Sequence, residues 1–109
     1  MSIGLFRYNG DINDRNSELT LSENISTEDF YEKYWEKAIK ELGIKFIQDG
    51  AQFNRSKLDE VLKELESLRK WAIVNLSGVD LEYMKGRIEH LQQVIPNAFN
   101  NEDTVLYIF

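Results

Sequence analysis

The sequence predicts a small α+β domain over residues 1–109, with a mostly antiparallel sheet packed against three helices. Three observations predict it. Apolar residues alternate over Ile3–Tyr8 and again over Thr104–Phe109, which reads as a strand near each end of the chain. Between them, three stretches repeat apolar side chains at three- and four-residue steps, the spacing of a helix with one buried face. Asp49-Gly50 sits between alternating residues (Phe46 and Gln48 before, Ala51 and Phe53 after), the signature of a short central hairpin.

Taken in order, Ile3, Leu5 and Arg7 alternate with Gly4, Phe6 and Tyr8. A strand apolar on most positions belongs inside a sheet. Asn9-Gly10 begins a polar loop to Asn16, and Glu18–Leu21 reads as a short second strand. Ser26 with Asp29 forms a capping box for the first helix, with Ile25 stapled onto Phe30 and Gly43 as the stop. Its apolar arc holds Phe30, Tyr31, Tyr34, Trp35, Ala38, Ile39 and Leu42. The longest helix follows the hairpin. Ser56 or Asn54 caps it, and Leu58, Val61, Leu62, Leu65, Leu68 and Ala72 form its stripe to about Asn75. On its wet face Asp59 with Lys63 and Glu66 with Lys70 are spaced as ion pairs. Ser77 with Asp80 caps a third helix striped by Leu81, Met84, Ile88, Leu91 and Ile95, and Pro96 ends it. Gly86, inside that helix, predicts close approach of a neighbouring backbone. The apolar Thr104–Phe109 strand must be paired and covered, and the first strand is the expected neighbour.

Composition removes whole classes of chemistry. The chain has no Cys and one His, which excludes disulfides, thiol catalysis and zinc sites built on several Cys or His. No metal or cofactor is expected. No apolar run reaches bilayer length and the first ten residues lack a signal-peptide pattern, so a cytoplasmic protein is expected. No P-loop, GxGxxG or HExxH occurs. His90 lies between Glu89 and Leu91 on a helix and reads as a surface histidine rather than a general base. The carboxylates of the long helix read as a solvated face. No enzyme is predicted.

Charge is the informative quantity. Asp11, Asp14, Glu18, Glu23, Glu28, Asp29 and Glu32 face a single base, Arg15, in one segment whose balance equals the whole-chain net charge of −6. Such a field repels nucleic acid and anionic membrane and favours a cationic partner. A loop kept soluble by its charge is the bland alternative. In the first helix the arc is wider than one sheet face needs. Phe30, Tyr34 and Ile39 are expected in the core, and Tyr31 or Trp35 at the rim as a binding anchor.

The run Asp49-Gly50-Ala51-Gln52-Phe53-Asn54-Arg55-Ser56-Lys57-Leu58, followed by a helix containing Lys63-Glu64-Leu65, resembles small immunity proteins of bacterial polymorphic-toxin and contact-dependent growth inhibition systems. The likeness covers about a third of the chain. It implies a monomer that binds and neutralises a cognate toxin C-terminal domain, commonly a basic nuclease, in a 1:1 complex. It carries over no binding residues. The charge argument supplies the candidates: Asp11, Asp14, Glu18, Glu23, Glu28, Asp29 and Glu32, with Tyr31 and Trp35 as anchors. A small acidic secretion chaperone or adaptor, holding a client segment, is the competing class.

Overall fold

The computed structural model describes residues 2–11 and 13–109. Strands β1 (Ser2–Tyr8), β2 (Leu19–Thr27), β3 (Gln52–Asn54) and β4 (Val105–Ile108) form one antiparallel sheet in the order β2-β1-β4-β3. Helices α1 (28–42), α2 (Leu58–Asn75) and α3 (Gly78–Val94) pack on one face of it. The expected α+β architecture is therefore present. β1 is internal and lies beside β4, with Leu5 opposite Ile108 and Phe6 opposite Tyr107.

Strand periodicity decides which residues meet the helices. Ile3, Leu5, Leu106, Ile108 and Phe53 point inward and join Trp35, Val61, Leu65, Leu68, Met84, Ile88 and Leu91 in one buried core. Phe6, Tyr8, Tyr107 and Phe109 alternate with them and so occupy the opposite face. β2, expected as a short strand at Glu18–Leu21, runs for nine residues and forms a sheet edge. α3 covers part of that edge. Tyr83 accepts from the Thr27 amide, Arg87 donates to the Asn24 carbonyl, and His90 meets Glu23. Backbone groups of an edge strand that would otherwise pair with another chain are thereby engaged.

The central hairpin does not form. Gly50 adopts φ +87° and the Ala51 amide donates to the Gln48 carbonyl at 3.2 Å, so the turn closes, but no strand directly precedes it to pair with β3. β3 pairs with β4, and the Gly50 amide donates to the Ile108 carbonyl. The reason lies on α2. The Glu64 carboxylate accepts from the amides of Lys45, Phe46 and Ile47 at 2.7, 3.0 and 3.1 Å. A carboxylate collecting three successive N–H groups fixes a curved backbone, which a strand cannot supply. Before the turn, Ile44 and Ile47, three residues apart, are the buried residues, while Phe46 and Gln48 of the alternating set are only half-buried.

Helix starts also move by a residue or two. Ser26 is buried in β2, and Thr27 caps α1 by accepting from the Phe30 amide. Of the two caps for the long helix, Asn54 is used; it accepts from the Ser56 amide ahead of a 3-10 turn. Ser77 occupies the α3 cap position without a side-chain bond, and Asp80, its expected capping-box partner, accepts instead from the Tyr34 hydroxyl at 2.7 Å. Among the described residues the ion pairs around α2 are Lys57–Glu60 at its start, Arg69–Glu66 within it and Arg69–Glu89 to α3, rather than the expected Asp59–Lys63 and Glu66–Lys70. Gly86 has no neighbour within 4 Å of an added Cβ, so no backbone approaches it.

Candidate functional site

Candidate residues of α1 exchange their expected positions. Trp35 is 0 % exposed and Tyr31 6 %, whereas Phe30, Tyr34 and Ile39 are half-buried. The inward stripe is Tyr31, Trp35 and Ala38. Residues Tyr31–Trp35 form a π turn, whose wider winding rotates everything after it relative to the first turn. Phe30 and Tyr34 then fall beside α3, where Phe30 packs edge-on against Tyr83. A fully buried Trp35 cannot touch a partner. Trp35 is therefore a core residue and not an anchor, and Tyr31 presents only its hydroxyl edge. That hydroxyl accepts from the Asp49 amide at 2.8 Å, in the wall of a 720 Å³ groove also lined by Glu32, Glu36, Lys37 and Lys40.

Burial pushes the Tyr31 phenol above its ordinary pKa, and neighbouring Asp49 and Glu36 add to the shift against the opposing bond from the Asp49 amide. The sign follows from linkage. In the unfolded chain the phenol ionises near pH 10, while in the folded chain it still holds its proton, so stability falls as pH rises through that range. Alkaline unfolding monitored by circular dichroism should show this slope, and Tyr31→Phe should flatten it.

The acids separate into three groups. Asp11, Asp14 and Glu18 stand in and beside the β1–β2 loop, and all three are exposed. Glu23 lies mid-strand and is committed to His90 at 2.7 Å. Glu28, Asp29 and Glu32 begin α1 at the far end of β2, roughly 25 Å of strand away. One run in sequence is thus two acidic ends joined by an edge strand. Asp11 and Asp14 also shape their loop, each accepting from the amide two residues on.

The structure brings together a set that the charge run did not contain. On the open sheet face Phe6 stacks on Phe109 with centroids 4.7 Å apart, and Tyr8 meets Tyr107 edge-on at 6.2 Å. Gly4 leaves room for the Phe6 ring, which an added Cβ would meet at 2.6 Å. Tyr8 and Tyr107 then line a 590 Å³ cavity with Asp11 from one loop and Asp103 from another. The signal was present in sequence as aromatics at two-residue spacing on both Phe6/Tyr8 and Tyr107/Phe109. Their common face required the β1–β4 register.

Among the described residues no group of three or more His, Asp or Glu side chains is arranged to hold a metal, and no helix is long and apolar enough to cross a membrane. Comparison with protein-family models, with curated proteins and with solved structures finds no match.

Proposed function

We propose that the chain is a binding protein that neutralises a cationic toxin domain, in the manner of an immunity protein. One observation carries the reading. Asp11, Asp14, Glu18, Asp29 and Glu32 are exposed, and among the described residues none of these five is paired with a basic side chain. Carboxylates left free at both ends of β2 create a field that speeds encounter with a basic surface and disfavours anionic partners. A nuclease domain offers such a surface where it receives substrate phosphates, and covering it blocks the substrate.

Co-expression with the C-terminal toxin domain encoded immediately upstream tests the reading. The wild-type chain should restore growth. Lysine at Glu28, Asp29 and Glu32 together should weaken binding by roughly tenfold or more, since each exposed pair contributes about 0.2–1 kcal/mol and reversal adds repulsion. Lysine at Asp11, Asp14 and Glu18 should act similarly at the other end. Full affinity in both triple variants would remove the acidic surface from the account. Absence of any neutralisation or binding would favour a chaperone holding an unfolded client.

A further inference from the structure

We propose that the open sheet face around Tyr8 and Tyr107 is a docking surface for an arginine-bearing segment of a cationic protein. The inference rests on the reading of a cationic protein partner and names the surface that receives it. Three observations converge here. The face is not covered by a helix, and β1 together with β4 and the residue that follows it presents four aromatic rings in two contacting pairs. The cavity at one end of that face has Tyr8 and Tyr107 as ring walls and Asp11 and Asp103 as carboxylates, with no basic side chain among the described lining residues. Both acids are exposed, and they come from loops braced independently. The Asp11 carbonyl accepts from the Asp14 amide and the Ser17 hydroxyl, while Asn101 accepts from the Asp103 amide and exchanges bonds with Thr104.

That combination selects its occupant. A guanidinium is planar, stacks on phenol rings and forks onto carboxylates, whereas an ammonium does only the last well. Single-stranded nucleic acid also stacks on aromatic sheet faces, but its phosphates would meet Asp11, Asp103 and a chain of net charge −6. A second copy of the chain would bring the same two carboxylates and the same net charge against this face.

The test is an amide NMR titration of the full chain with a tetra-arginine peptide, beside its neutral citrulline analogue. The largest shifts are expected at Tyr8, Asp11, Asp103 and Tyr107, with none from the citrulline peptide. Replacing Asp11 and Asp103 by Asn should weaken binding about fivefold or more while leaving the spectrum folded, because an Asn at position 11 can still accept from the Asn13 amide. Tyr8→Leu, which keeps apolar area and removes the ring, should weaken it further. Equal binding by the citrulline peptide, unchanged affinity in the double Asn variant, or shifts confined to Glu28–Glu32 would overturn the proposal. So would dimerisation through this face or preferential binding of a single-stranded oligonucleotide. Failures of the two readings are separable. Tetra-arginine bound here without neutralisation of any toxin domain would support this inference and end the immunity reading. A neutralised toxin domain that shifts only α1 would do the reverse.

Discussion

Replacing Trp35 by Ala is expected to destabilise the domain by about 3–5 kcal/mol, the range for truncating a buried aromatic side chain. Trp35 is fully buried, stacks at 6.4 Å on Tyr31, and lies in the core beneath the sheet. A domain of this size has a total stability of about 5–15 kcal/mol, so the variant should melt far below the parent or fail to fold. Trp35→Phe should be much milder. The indole Nε1 is buried with no acceptor among the described residues, and removing that orphan donor offsets part of the lost packing. Thermal and urea unfolding of both variants decide the matter. A Trp35→Ala chain as stable as the parent but unable to bind a partner would return Trp35 to the surface and contradict the π turn.

The second large effect is expected at Glu64. Glu64→Ala should cost roughly 2–4 kcal/mol, because three backbone donors lose a charged acceptor and one of them is exposed enough to recover water. Glu64→Gln keeps one carbonyl oxygen and should lose about half as much. Hydrogen exchange distinguishes this from general loosening. The Phe46 and Ile47 amides should exchange faster in Glu64→Ala, while the β1–β4 ladder keeps its protection relative to global stability. Unchanged protection at Phe46 and Ile47 would mean that segment 44–48 is held by Ile44 and Ile47 burial alone.

These two residues also mark where the sequence stopped being legible. Helices and strands with a strong period were readable: β1, β4 and the extents of α2 and α3 follow from apolar spacing that tertiary packing did not alter. The alternation of Phe46, Gln48, Ala51 and Phe53 suggests a hairpin, while the deciding contact is the Glu64 carboxylate, 17 to 19 residues downstream of the amides it binds and without a local signature. The face of α1 was misread for a different reason. Seven apolar positions on a wide arc leave the inward stripe undetermined, and the winding of a π turn depends on what packs against it. The candidate site was legible as charge and not as geometry. Counting acids located an excess over Asp11–Glu32, but the length of β2 divides it. Asp103, the residue that completes the cavity at Tyr8 and Tyr107, lies on the loop before β4 and outside any charge run.

The measurement that most directly tests the central claim is the salt dependence of affinity for the cognate toxin domain. Binding by isothermal titration should weaken steeply between low and high salt, and the slope should flatten when Asp11, Asp14 and Glu18, or Glu28, Asp29 and Glu32, are replaced by their amides. Tight binding with an affinity indifferent to salt in parent and variants alike would contradict it and place the interface on uncharged surface.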